Sequence, residues 1–185
     1  MSRSQVIILN GVGSVGKSST ARALQEIAAR PFLHVAMDSF LEMLPAAMMG
    51  HPDGLVFEPG QEDGHPSIAL RTGPVLDRAM QGMRHAIAAM AGQGNNLVVD
   101  EVMLGRGEAR AYRELLLGHD LRIVGLVAPL DVLERRERER GDREIGLARW
   151  QFDRVHQGVV YDLEIDATAT TPAQNARKIC EAFGL

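Results

Sequence analysis

Short runs of aliphatic and β-branched residues alternate along the chain with stretches whose apolar positions recur every three or four residues. Val6–Leu9 is apolar throughout and predicts a buried strand. A glycine-rich stretch follows, then a helix over about Lys17–Ala29, ended by Pro31. Phe32–Met37 predicts a second strand, ending at Asp38. Leu76, Met80, Met83, Ile87 and Met90 fall at helical spacing, and the Gly92–Asn96 cluster stops that helix. Leu97–Val99 predicts a third strand, ending at Asp100-Glu101. A charged helix near Glu108–Leu117, a strand over Leu121–Val127 and a second charged helix over about Leu130–Arg140 come next. Tyr161–Ile165 predicts the last strand, and Pro172 opens a terminal helix. Apolar strands separated by helices of this length mean βαβ units. The expected fold is therefore α/β, a doubly wound parallel β-sheet of about five strands flanked by helices.

Residues 38–70 break the rhythm. They hold Pro45, Pro52, Pro59 and Pro66, six acids and no lysine or arginine. Their pattern reads as a long loop set after a strand end, where open α/β sheets bind ligands. Residues 38–75 are accordingly expected to form an insertion on the acceptor side of a site; a solvated surface excursion is the plain alternative. Met37, Met43, Met48 and Met49 read as core, or as the adaptable apolar wall of a pocket.

Composition narrows the classes. A chain of 185 residues fits one domain, 1–185. With 45% hydrophobic and 24% charged residues it is neither disordered nor fibrous. A net charge of −4 argues against a partner held by bulk positive charge, so no nucleic acid is expected. Cys180 is the sole cysteine and the six histidines lack metal-ligand spacing, which leaves no disulfide framework and no zinc site. No apolar stretch approaches the ~20 residues that cross a bilayer, and no targeting signal is read at the N-terminus; no membrane partner and a cytoplasmic location are the expectations. Homo-oligomerisation is left open. The basic residues are lopsided, 18 arginines against Lys17 and Lys178.

Lys17 has a chemical reason. Gly11-Val12-Gly13-Ser14-Val15-Gly16-Lys17-Ser18 matches G-x-x-x-x-G-K-[ST] between a strand and a helix. Glycines let successive backbone N–H groups turn around phosphate oxygens, and the helix that follows presents its positive end. Lys17 reaches the β- and γ-phosphates, the Ser18 hydroxyl can ligand Mg²⁺, and Ser19 extends the cradle into the helix. ATP with Mg²⁺ is the implied pair. A GTPase would need a guanine-reading Asn/Thr-Lys-x-Asp motif, and Lys178 is badly placed to supply it. A compact kinase acting on a small hydroxyl-bearing molecule fits; a nucleotide-binding regulatory module without an acceptor stays open.

Three further groups suit phosphoryl transfer. Asp38, flanked by Met37 and Ser39, sits at a strand end where a carboxylate can take the acceptor's proton; Asp38 or Ser39 as a helix N-cap is the plain alternative. Asp100 after Leu97-Val98-Val99 has the Walker-B arrangement that holds Mg²⁺. Glu101 reads equally as an acceptor contact or a salt-bridged structural residue. Residues 134–143 put arginines at 135, 136, 138, 140 and 143 on a helix closed by Gly141-Asp142. Many must be solvated, yet Arg136, Arg140 and Arg143 recur on one face, which suits an arginine-rich lid (134–158) over a triphosphate. His156, after the arginine run, is expected on a helix surface.

In order along the chain, the sequence resembles the chloramphenicol phosphotransferase family. The resemblance rests on Ile7-Ile8-Leu9-Asn10-Gly11 running into Gly16-Lys17-Ser18, and on Asp38-Ser39 followed by Met43-Leu44-Pro45. It continues through Val99-Asp100-Glu101-Val102, Arg140-Gly141-Asp142-Arg143, and Val155-His156-x-Gly158-Val159-x-Tyr161-Asp162. It covers nearly the whole chain and is weakest over about Ala46–Gly73. It implies a P-loop kinase that phosphorylates the antibiotic's primary hydroxyl, with Asp38 as base, Gly11–Ser18 around the ATP phosphates, and Arg136 and Arg140 in the lid. The family pattern has an acid pair after the third strand, and here its second member is Glu101 rather than Asp.

Overall fold

A computed structural model of the protein describes residues 3–141 and 144–185. Five strands, β1 (Gln5–Asn10), β2 (Phe32–Ala36), β5 (Asn96–Glu101), β6 (Asp120–Val127) and β7 (Leu163–Asp166), form one sheet in the order β2-β5-β1-β6-β7. Every pairing in it is parallel. The expected doubly wound sheet is present, with β1 at its centre.

Strand alternation builds two cores. Ile7 and Leu9 point to one face and pack with Leu24, Leu133, Ala148 and Ile179. These come from helices α1 (Lys17–Ile27), α5 (Leu130–Arg140), α6 (Leu147–Val155) and α7 (Pro172–Phe183). Val6 and Ile8 point the other way, onto Met83, Ile87 and Tyr112 of α3 (Pro74–Gly92) and α4 (Arg106–Leu115). Strands buried on both faces must be apolar at every position, which is why the run Val6–Leu9 shows no alternation of its own.

Several boundaries differ from the sequence expectation. The second strand stops at Ala36, and Met37–Leu41 form a short helix, α2, with Asp38 in its first turn. Neither Asp38 nor Ser39 caps it: the N-cap is Ala36, with no side-chain bond. The third strand ends at Glu101, as expected, and begins one residue earlier, at Asn96. The last strand starts at Leu163, not Tyr161. Helix α6 was missed because its buried residues, Leu147, Ala148, Gln151 and Val155, are set among charges.

The segment after α2 is not a loop. A 3₁₀ turn at Ala46–Met48 leads to an antiparallel hairpin, β3 (Leu55–Glu62) with β4 (His65–Thr72). Its two-residue turn is Asp63-Gly64, both at positive φ (51° and 77°), the geometry that matches strand twist in a tight hairpin. Pro59 and Pro66 are tolerated because a two-stranded sheet consists of edges only. Of the methionines read as core or pocket wall, Met37 packs against the α3/α4 side, while Met43 and Met49 are exposed. Among the described residues no helix is long and apolar enough to cross a membrane.

Candidate active site

The turn from β1 into α1 is shaped by close approach. A side chain at Gly11 would place its Cβ 2.5 Å from the Leu126 carbonyl oxygen, so the loop leaves the sheet in contact with β6 backbone. Ser14 (φ 63°) and Gly16 (φ 104°) then adopt left-handed conformations that curl the chain before α1 begins at Lys17. Residues Gly13–Ser19 line a cavity of about 870 Å³ at the C-terminal edge of the sheet. Gly11 and Val12 lie buried beneath it, and their carbonyls accept hydrogen bonds from Lys17 Nζ at 2.8 and 3.1 Å. The lysine ammonium is thus folded back over the loop, nine-tenths buried.

Parallel register brings the acids to the same edge. Leu9 and Ala36 both pair with Asp100, so β5 delivers its carboxylate between β1 and β2. Ser18 Oγ donates to Asp100 Oδ2. A hydroxyl beside a buried carboxylate is a hard oxygen pair of the kind Mg²⁺ takes, with phosphate and water completing its shell. Among the described residues no three His, Cys, Asp or Glu side chains gather to hold a metal by themselves. The donor set therefore fits a cation that arrives with a phosphate.

His34 of β2 was passed over as a lone histidine. It lines the cavity with Nε2 3.9 Å from Asp100 Oδ2, and this buried nitrogen has no hydrogen-bond partner among the described residues. Burial lowers its pKa, against the opposing pull of Asp100. The readable signal was its position two residues before Ala36, on the face that meets the acids.

Met37, Asp38 and Ser39 lie at the start of α2 and line the same cavity. Leu41, Leu55, Phe57, Leu70, Leu76 and Met80 make an apolar wall from α2, the hairpin and α3. The hairpin is thus part of the cavity. Arg84 continues the Leu76/Met80 stripe by one more turn and reaches within 3.9 Å of Glu108 Oε1. That arginine was also missed, although the i, i+4 spacing marked it.

Glu101 lines the cavity but its carboxylate is engaged on both oxygens. Oε1 accepts from the backbone N–H of Val102 (3.1 Å) and Oε2 from the Tyr112 hydroxyl (2.6 Å). Burial pushes its pKa up to about 7, with the Tyr112 hydrogen bond opposing. The extra methylene relative to aspartate lets the group fold back onto its own strand end. These contacts are hydrogen bonds, where the structural reading expected a salt bridge, and Glu101 also lines the cavity.

The arginine helix also borders the cavity. Arg136 Nη2 donates to the carbonyls of Ala167 and Thr168 in the β7–α7 turn, both at 3.0 Å, and Arg140 lies one turn further on. Both line the cavity. Arg143 lies outside the described residues. His156 is not a surface residue: it is partly buried, with Nδ1 2.7 Å from the Tyr161 hydroxyl.

Residues 4–184 match the chloramphenicol phosphotransferase-like protein family. Two curated proteins of Mycobacterium tuberculosis, strains CDC 1551 / Oshkosh and H37Rv, are named O-phosphotransferases by inference. Each is 32% identical over 188 residues, covering 99% of this chain and 84% of theirs. The solved structure of Mycobacterium tuberculosis APS kinase with AMPPNP and APS superposes with a TM-score of 0.68 at 15% identity, covering 100% of both chains. The Deinococcus radiodurans tunicamycin resistance protein does so with a TM-score of 0.64 at 20% identity, covering 99% and 97%. Those two likenesses are of fold. Sequence match and fold agree, and the chain belongs to the chloramphenicol phosphotransferase-like family of P-loop kinases.

Proposed function

We propose that this kinase is an ATP- and Mg²⁺-dependent O-phosphotransferase that moves the γ-phosphate to a hydroxyl of a small antibiotic-like acceptor, chloramphenicol foremost. The observation that carries the reading is one continuous cavity lined by the phosphate loop, by Asp38 and by apolar side chains of α2, the hairpin and α3. The acceptor oxygen attacks the γ-phosphorus, the bond to the β-phosphate oxygen breaks, and the hydroxyl proton passes to Asp38. The amides of Ser14–Ser19 and Lys17 hold the phosphates, while Ser18 and Asp100 would hold Mg²⁺, which would neutralise phosphate charge when bound. Arg136 keeps further N–H groups beyond the two carbonyl contacts, and with Arg140 it stabilises charge on the moving group. Arg143 belongs to the same proposal by its spacing.

Among the described residues from 38 to 108 that line the cavity, the charged ones are Asp38, Glu42, Asp100, Glu101 and Glu108, with Arg84, which stands 3.9 Å from Glu108. That balance supports a neutral or cationic acceptor over an anionic one. The engaged Glu101 carboxylate favours a second reading, in which another small hydroxylated metabolite takes the place of chloramphenicol.

The test is ADP release from ATP and Mg²⁺ with chloramphenicol and a panel of hydroxyl-bearing antibiotics and metabolites. Acceptor-dependent release with chloramphenicol, reduced about 10²–10⁴-fold in Asp38→Asn, is expected. Release with a different acceptor alone selects the second reading. Nucleotide binding with no transfer to any acceptor overturns both and leaves a regulatory module.

A further inference from the structure

We infer that Gln151 of α6 contacts the nucleotide, its side-chain NH₂ donating to the terminal phosphate while its carbonyl steadies the phosphate loop. The inference rests on the phosphotransfer reading above. Gln151 is 4% exposed and lines the cavity. Its Oε1 accepts from the Gly13 N–H at 2.7 Å. Because that partner is a donor, the amide's orientation is fixed: the oxygen faces the loop and Nε2 is the end left for the cavity. Among the described residues Nε2 donates to no protein acceptor. Nε2 is the end of the amide open to the cavity, and the acceptors this cavity is built to receive are phosphate oxygens.

The mount of this amide is unusually complete. Buried Glu137 of α5 accepts from the backbone N–H groups of Gly146 (2.8 Å) and Ala148 (2.7 Å) at the start of α6. The carbonyl of Gly146 accepts from Ile68 N–H of the hairpin at 3.1 Å, and Arg154 reaches Glu62 at 3.5 Å. Helix α6 therefore touches the arginine helix, the acceptor-side hairpin and the phosphate loop at once. Gln151 lines the same cavity as the phosphate loop, Asp38 and Arg136. A preorganised neutral donor there needs no rearrangement when charge develops. The close approach also explains Gly13: a Cβ there would stand 3.3 Å from Gln151 Oε1.

The test is calorimetric binding of ADP and of the β,γ-imido analogue of ATP, with Mg²⁺, to the full chain and to Gln151→Glu and Gln151→Leu. Gln151→Glu keeps an oxygen for the Gly13 N–H and replaces the donor by an anion. It should weaken the triphosphate about tenfold more than ADP. Gln151→Leu, which removes both contacts, should shift the same ratio, so the answer survives if one variant fails to fold. A ratio within twofold of the parent in the folded variants overturns the inference, since a residue that only props the loop would weaken both nucleotides alike. Failure of the parent chain to bind either nucleotide overturns the phosphotransfer reading instead.

Discussion

Tyr112 donates its hydroxyl proton to Glu101 Oε2 at 2.6 Å, and both residues are buried at the end of the strand that also carries Asp100. One oxygen of Glu101 is occupied by this phenol and the other by backbone, so the carboxylate is a fixture of the site wall. Its folded pKa of about 7 stands above the ordinary 4.5, with burial as the main cause.

A carboxyl whose pKa rises on folding contributes stability that is fully present below its unfolded pKa and lost as pH climbs through the folded value. Wild type should therefore lose stability relative to Glu101→Gln between about pH 4.5 and 7. The total is roughly 3 kcal/mol for a shift of this size. Urea unfolding of both proteins from pH 4.5 to 8.5, without nucleotide, measures the gap. A gap that stays constant with pH contradicts the assignment.

The bond from Ser18 to Asp100 predicts a cation phenotype. Asp100→Asn should retain the fold, because an amide oxygen still accepts from Ser18, yet it removes the negative charge the cation needs. The Mg²⁺ concentration for half-maximal ADP release should rise about 10–100-fold. A Mg²⁺ titration at saturating ATP checks this, and an unchanged midpoint removes Asp100 from the metal site.

What the chain disclosed in advance follows the range of its interactions. Val6–Leu9, the cradle through Ser18 and the strand ending in Asp100 were readable because local pattern and motif specify them. The Asp63-Gly64 turn was also readable as a hairpin signal, but the flanking prolines made β3 and β4 look like loop, and edge strands are where proline is allowed. Gln151 was invisible for another reason. Its partner Gly13 is 138 residues away, a separation no periodicity reports. Similarly, the string from Val155 to Asp162 reads as structural once Tyr161 is seen against Asn10 and His156. Burial lowers the His156 pKa, consistent with a neutral ring in that network.

Glu137 was one acid in a charge run, yet it is buried and accepts two backbone N–H groups at the start of α6. Charge-assisted bonds at a helix N-terminus are among the stronger ones. Glu137→Ala should cost about 3 kcal/mol, and Glu137→Gln, which keeps one acceptor, about half of that. Denaturant midpoints at constant m-value test the pair. Equal effects from both variants would mean that the side chain's packing matters and its acceptors do not.

Asn10 is completely buried where β1 enters the phosphate loop, and its amide joins three parts of the chain. Its Nδ2 donates to the Val155 carbonyl at 3.0 Å and to the Tyr161 hydroxyl at 2.7 Å, while Oδ1 accepts from Met103 N–H at 2.8 Å. Asn10→Ala leaves two backbone groups unpaired without admitting a substitute, which should destabilise the protein by about 3 kcal/mol. Tyr161→Phe removes one hydroxyl from the same network and keeps its ring over Gly125, so about 1 kcal/mol is expected. In the double variant the Asn10–Tyr161 bond cannot be lost twice, so the combined cost should fall short of the sum. Thermal and denaturant unfolding of the two single variants and the double variant measure that coupling. Strict additivity would show that the two side chains stabilise the loop entrance independently.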